Sequence, residues 1–391
     1  MTLPVLCLAF LASMYFRSYF GVVGPALSRD LFLTPQDFGW LASAFFTSFS
    51  LLQIPVGLAF DRWGVRLPMA TMMALGALGS ALVAFSSDFW TAMIGQGLIG
   101  VGCAPIFMGV LYFVGNTYDA ERAGRLAAIV SAVGSTGALL SAAPLTIFTR
   151  DFGWRSACWL AALVMFACAI AIAFQLKSPG RLVNRPELEG GSGRFLPLLY
   201  LAPVCLTLSL GGVFRNAWAE PYVAGVFKGT CDLGALLTLM SMVGIATSFL
   251  VPALLFRLRP RTVVAATYVL GIICAATLAV HPGWNIFAAY AGLSVLYAMG
   301  NVHPLVMAEA QSLIPPSYRG IVLGALNTLV FLGVSAASSA FGQIAGMAFA
   351  PENTYRAVFL LTTASLIAAL VIYLVFQPSS ESCSRRTDVS H

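Results

Sequence analysis

The chain reads as a succession of long apolar runs separated by short polar or Gly/Pro-rich connections. Twelve runs can be marked, at about residues 3–27, 38–60, 67–86, 90–115, 122–148, 153–176, 196–224, 232–256, 262–281, 285–311, 319–347 and 354–376. Each is continuous in its hydrophobicity and near the ~20 residues that a helix needs to cross hydrocarbon. A backbone in lipid must satisfy its own hydrogen bonds, which leaves helices or a closed barrel. Barrel strands are short and alternate in polarity, and these runs do not. The pattern predicts an all-α membrane protein with twelve transmembrane helices.

Composition agrees. Hydrophobic residues make up 59% of the 391 and charged residues 9%, with a mean hydropathy of +0.88. Soluble domains carry about a quarter charged residues. The net charge of +6 would suggest a nucleic-acid partner if it gathered on one face, but Lys and Arg are scattered through the connections. We read it as topology. With the N-terminus inside, fourteen cations, from Arg62 and Arg66 to Arg385 and Arg386, fall on the cytoplasmic side, against five (Arg29, Arg150, Arg155, Lys228 and Arg356) outside. The positive-inside rule then predicts that both termini are cytoplasmic. Most of the eight Cys lie inside apolar runs without metal-type pairing, so no disulfide framework is expected. The run Leu3–Leu27 lacks a basic leader and a small-residue cleavage site and reads as a retained first helix. Short loops and the absence of an Asn-x-Ser/Thr sequon point to a bacterial inner membrane.

The longest polar interruption, Lys177 to Arg194, contains Pro179, Pro186 and Gly190-Gly191-Ser192-Gly193. It suits a flexible linker. The expected organisation is residues 1–178 and 195–378 as two six-helix bundles, 179–194 as cytoplasmic linker and 379–391 as cytoplasmic tail. The halves echo each other. Asp37-Phe38-Gly39-Trp40-Leu41 and Asp232-Leu233-Gly234-Ala235-Leu236 open helices 2 and 8, Trp154-Arg155 and Tyr355-Arg356 open helices 6 and 12, and Arg122-Ala123-Gly124 and Arg319-Gly320 precede helices 5 and 11. Such duplication implies two pseudo-symmetric bundles around a central cavity.

Between the second and third runs stands Gly57-Leu58-Ala59-Phe60-Asp61-Arg62-Trp63-Gly64-Val65-Arg66. Small residues for close helix approach, a carboxylate and cations suited to the cytoplasmic face share this short hinge. It resembles the loop between helices 2 and 3 of the major facilitator superfamily, and the resemblance extends over nearly the whole chain, including Phe152-Gly153-Trp154-Arg155-Ser156-Ala157-Cys158-Trp159 at the start of helix 6. It implies the major facilitator fold and a conformational latch at Gly57, Asp61, Arg62, Gly64 and Arg66, which would hold the outward-open state and break on inward opening. Thr34-Pro35-Gln36-Asp37-Phe38-Gly39-Trp40, followed by Ser43-Ala44-Phe45-Phe46 and Gln53-Ile54-Pro55-Val56-Gly57, is similar to the organic-anion members, among them the anion:cation symporters. There are departures. Gln96 stands where the helix 4 motif usually carries an arginine, which weakens proton-coupling arguments taken from the family. Helix 5 has Gly134-Ser135-Thr136-Gly137 and Pro144 without the Gly-Pro pair of drug antiporters.

Two arginines lie within apolar runs, Arg17 in helix 1 and Arg215 in helix 7. A charge at mid-membrane costs at least ~2.5–3.5 kcal/mol and is expected to face a cavity. The planar guanidinium fork binds a carboxylate or phosphate bidentately. Helices 1 and 7 are repeat-related and in this family line the cavity, so Arg17 and Arg215 are expected to clamp an anion. Tyr15, Tyr19, Asn216 and Trp218 would complete the pocket, with Tyr297 and Asn301 from helix 10. Helix packing, or bonding of the arginines to helix carbonyls, is the plainer alternative.

His303 and Met307 share one face of helix 10, a spacing that could hold a soft metal or let an imidazole titrate, with Met240 and Met242 as further thioethers. Gap-filling methionines and an imidazole bonded near Pro304 explain the same residues. His303 and Glu309 are the candidates for ion coupling. Glu220 and Glu309 lie near opposite membrane faces, unsuited to paired-carboxylate catalysis. No phosphate-binding loop ends in Lys-Ser/Thr. The reading is therefore a monomeric secondary transporter, not an enzyme, with no cofactor and no nucleic acid. It moves a small organic anion, foremost a carboxylate, with a proton or cation across the bilayer. Efflux of amphipathic compounds, or uptake of a metal or metal chelate, is the alternative.

Overall fold

The computed structural model describes residues 2–176, 199–228, 232–314, 319–347 and 349–376. The expected linker 179–194 and tail 379–391 lie outside the described residues. Among those described, nine helices are long and apolar enough to cross a membrane, and two pairs bent at a break bring the number to eleven. In chain order the spans are α1 (Thr2–Asp30), α2 (Pro35–Leu51 and Gln53–Trp63), α3 (Arg66–Phe85), α4 (Phe89–Thr117), α5 (Ala120–Leu140 and Ala143–Phe152) and α6 (Trp154–Gln175). The seventh expected run, 196–224, is α7, described from Leu201 as four successive helical pieces: Leu201–Thr207, Leu210–Val213, the π-helical Phe214–Trp218 and Ala219–Val226. Then follow α8 (Leu233–Leu254), α9 (Pro260–Val280), α10 (Ile286–Ala298, a 3-10 turn Met299–Val302 and His303–Leu313), α11 (Arg319–Ala345) and α12 (Pro351–Val375).

Local chemistry sets these boundaries. Thr34 and Asp37 form a capping box on α2, with Asp37 N donating to Thr34 Oγ1 at 3.2 Å and Thr34 N to Asp37 Oδ2 at 3.1 Å. Asp88, Asp119, Asp232 and Asn285 cap α4, α5, α8 and α10. Gly64 turns α2 into α3 at φ +70°, a conformation a β-carbon would strain. The bends follow proline. Pro55 and Pro144 stand just past the breaks of α2 (41°) and α5 (40°), and Pro304 follows the 3-10 turn of α10.

Small residues let the helices cross closely. A β-carbon on Gly79 of α3 would lie 2.6 Å from the Gly95 carbonyl of α4. Gly137 of α5 meets the Leu11 carbonyl of α1, and at the corresponding place in the other half Gly333 of α11 meets the Leu206 carbonyl of α7. We call the end bearing the α1–α2 turn the far end, and the end bearing the Gly64 turn the near end. The two halves meet along three seams. A β-carbon on Gly39 of α2 would lie 2.8 Å from Gly342 Cα of α11. Its repeat-related counterpart is Gly234 of α8, where a β-carbon would lie 3.2 Å from Ala143 Cα of α5. Between them Gly21 of α1 abuts the backbone of Arg215 and Asn216 on α7, and at the rim Arg29 pairs with Glu220 at 3.0 Å. The far end is closed.

Candidate functional site

A cavity of about 240 Å³ lies between the halves on the near side of the α1–α7 and α5–α8 seams. Its wall draws on α1, α2, α5, α7, α8, α10 and α11. Among the described residues that line it, Arg17 is the one ionised side chain, with Ser18, Ser135, Ser209, Ser248, Asn216, Tyr297 and Asn301 as the main polar groups and Phe46 and Phe331 as aromatic faces.

Arg17 sits near the middle of the 29-residue α1. Its guanidinium lies over two rings, 5.3 Å from the Phe49 centroid and 4.8 Å from that of Phe331. Such contacts stabilise a cation by about 0.5–2 kcal/mol each. They accept none of its five N–H donors in the way an oxygen does. Among the described residues no group hydrogen-bonds to the Arg17 guanidinium. Around it, Ser18 donates to Asn216 Oδ1 at 3.1 Å, leaving the Asn216 amide N–H groups to the cavity. Asn301 donates to the Gly244 carbonyl at 2.7 Å and to Thr247 Oγ1, leaving its own oxygen as an acceptor. An anion on Arg17 would meet directional donors on one side and acceptors for hydroxyl hydrogens on the other.

Arg215 is placed differently from the expectation. It is fully buried and does not line the cavity. Its Nε donates to Ser241 Oγ at 3.1 Å, and Nη2 donates to the Ala138 carbonyl at 2.7 Å and Ser141 Oγ at 3.2 Å. Two of these three bonds reach α5, in the other half. The acceptor carbonyl belongs to the last turn of the first α5 segment, where helix carbonyls lack partners and carry partial negative charge. This conformation thus does not present both arginines to one ligand.

Of the other expected pocket residues, Asn216, Tyr297 and Asn301 line the cavity with Arg17. Tyr297 lies within electrostatic reach of both arginines. Tyr15 and Tyr19 stack on each other at 6.2 Å inside the first half, and Trp218 donates to Ser338 Oγ at 3.0 Å within the α7–α11 packing. None of these three is among the residues lining the cavity, and the Tyr19 hydroxyl is buried without a hydrogen bond. Phe46, Phe331 and the serines were not singled out from sequence. Serine in a transmembrane helix usually bonds the carbonyl one turn back, as Ser135 does to Ser131 at 3.0 Å, so its presence carries little signal.

His303 sets its imidazole against the Asn327 amide and lies in the field of Arg17, with Nε2 buried and without a hydrogen bond. Asn327 in turn donates to Gln53 Oε1 of α2 at 3.3 Å. Met307 packs against the core, Met240 is buried, and Met242 is 58% exposed. Glu309 accepts from Tyr200 at 2.7 Å and from Tyr373 at 2.5 Å, a tie among α10, α12 and the start of α7 outside the cavity. In segment 57–66, Asp61, Arg62 and Arg66 are exposed at the near end, Gly57 faces Met108 of α4, and Asp61 bonds the Tyr112 hydroxyl.

The profile of the Major Facilitator Superfamily matches residues 6–338 of the chain. The chain belongs to the Major Facilitator Superfamily. As a superfamily member it is an integral membrane protein. It is 28% identical over 221 residues to human monocarboxylate transporter 11, covering 49% of this chain and 46% of the relative. It is 27% identical over 200 residues to efflux pump hmp6 of Hypomyces subiculosus, covering 48% and 35%. The matched region thus spans less than half the length of these curated relatives. The nucleoside transporter NupG shares the superfamily fold with a TM-score of 0.76 at 12% identity, covering 96% of this chain and 99% of that one. The named substrates of these proteins differ.

Proposed function

We propose that this superfamily member is a secondary active transporter of a small organic anion, and that a carboxylate sits on Arg17. The observation that carries the proposal is Arg17 itself, an unpaired guanidinium that is the only ionised group among the described residues lining the central cavity. An acidic partner is absent from that lining, so a cationic substrate has no counter-charge there, and a neutral one leaves the arginine donors unmet. Asn216, Tyr297 and Asn301 orient the remainder of the substrate.

The cation bias of the connections makes the near end cytoplasmic, with both termini inside, in a bacterial inner membrane. Alternating access rocks residues 1–178 against 195–378, with loop 57–66 as the latch of the outward-open state. A proton is the favoured coupling ion. His303 is its carrier, because its Nε2 has no hydrogen-bond partner and an anion bound on Arg17 offsets the positive charge that faces the imidazole, whereas Glu309 is held by two tyrosine hydroxyls away from the cavity.

The test is thermal stabilisation of the purified protein by a panel of carboxylates, amines, sugars and drugs. A ligand at 100 times its Kd stabilises by about 2.7 kcal/mol. Carboxylates are expected to raise the melting temperature of wild type and not of Arg17→Gln. Stabilisation by amines or neutral drugs, equal in both proteins, rejects the proposal.

A further inference from the structure

We infer that Arg215 is the second arm of the anion site, held on α5 while the far end is closed and transferred to the bound anion when it opens. The inference rests on the anion reading above. Arg215 stands one layer behind the cavity wall: Ala138, whose carbonyl holds it, and Ser241, which bonds its Nε, both line the cavity, as does its neighbour Asn216. Its Nη1 has no partner although the side chain is fully buried. A donor with unused capacity is therefore already present beside the site.

The bonds to Ala138 and Ser141 cross from one half to the other, next to the seam where Gly234 of α8 meets Ala143 of α5. Parting that seam draws α5 away from α7 and α8 and removes both acceptors. Ser241 travels with Arg215 in its own half and keeps one bond. The guanidinium then needs oxygen acceptors, and a carboxylate supplies two in the geometry of the fork. The π-helical Phe214–Trp218 gives the backbone at this point a departure from α register, a feature frequent at functional sites. Anion affinity is thus higher in the far-open state, where two arginines act, than in the far-closed state, where Arg17 acts alone. The ligand class is a carboxylate or another anion with two adjacent oxygens.

The experiment compares the free protein with one locked far-closed by bridging Arg29→Cys and Glu220→Cys across the rim with a short bis-methanethiosulfonate, each thiolate displacing methanesulfinate to form a disulfide. Lactate, gluconate and benzoate are the probes, read by equilibrium binding. Arg215→Gln is expected to weaken binding at least tenfold in the free protein and less than twofold in the locked one, with Arg215→Lys intermediate. Equal losses in both, or no loss in the free protein, overturn the inference. Ser141→Ala keeps Arg215 and loosens its tie, and should tighten binding to the free protein at least threefold. An unchanged Kd there counts against the inference even if Arg215→Gln does not fold. If Arg17→Gln binds the probes as wild type does, the anion reading itself fails.

Discussion

Substituting Gly39 by Ala should open the far end without unfolding the protein. The added β-carbon would lie 2.8 Å from Gly342 Cα and 2.9 Å from the Ser338 carbonyl. Both contacts are backbone, so no rotamer relieves them, and ordinary van der Waals contact requires α2 and α11 to separate by roughly half an ångström or more. Overpacking of this kind costs about 1–3 kcal/mol. Here the cost falls on one state, because Gly342 belongs to the opposite half and the contact is lost when the seam parts. A bias of that size shifts a two-state equilibrium by about five- to 150-fold. The assay is the distance between spin labels at Phe32→Cys and Trp284→Cys, exposed far-end positions in the two halves. Gly39→Ala should populate a longer distance that is minor in wild type. Gly97→Ala, where a β-carbon meets nothing within 4 Å, is the control and should leave the distribution unchanged. A folded Gly39→Ala protein with the wild-type distribution would show that this crossing does not hold the far end shut.

Asp61→Asn should slow net transport several-fold at wild-type expression, since the latch loses its charge; wild-type uptake rates would remove Asp61 from the cycle. His303→Gln should flatten the pH dependence of carboxylate accumulation while leaving carboxylate binding within a few-fold; an unaltered pH profile in vesicles would place proton coupling elsewhere. Glu309→Ala should lower thermal stability by about 1–3 kcal/mol, because the Tyr200 and Tyr373 hydroxyls lose their acceptor. Its carboxylate Kd should stay at the wild-type value, and a tenfold change would place Glu309 in the site.

Spans were legible in the sequence because lipid imposes long apolar runs, and the described helices fall within several residues of those runs. Their internal breaks were less so. Pro55, Pro144 and Pro304 mark three of them, but the π segment of α7 carries no proline and arises where α1 packs at Gly21 and α5 receives Arg215. Arg17 could be placed from sequence because a lone charge in an apolar run needs a polar surrounding. The position of Arg215 could not, since two of its three acceptors are a backbone carbonyl and a serine more than seventy residues away. Any residue type can offer a carbonyl, so no pattern announces the tie. Tyr19 and Trp218 look like pocket aromatics in sequence, and packing among Phe16, Phe20, Phe38 and Phe341 claims them instead.

The central claim is that a carboxylate is carried on Arg17. Uptake into proteoliposomes of a radiolabelled carboxylate chosen from the stabilising panel, compared among wild type, Arg17→Lys and Arg17→Gln, tests it most directly. The account predicts saturable uptake in wild type, a clear loss with Lys, which keeps the charge but not the fork, and a greater loss with Gln. Undiminished carboxylate uptake by Arg17→Gln would contradict it.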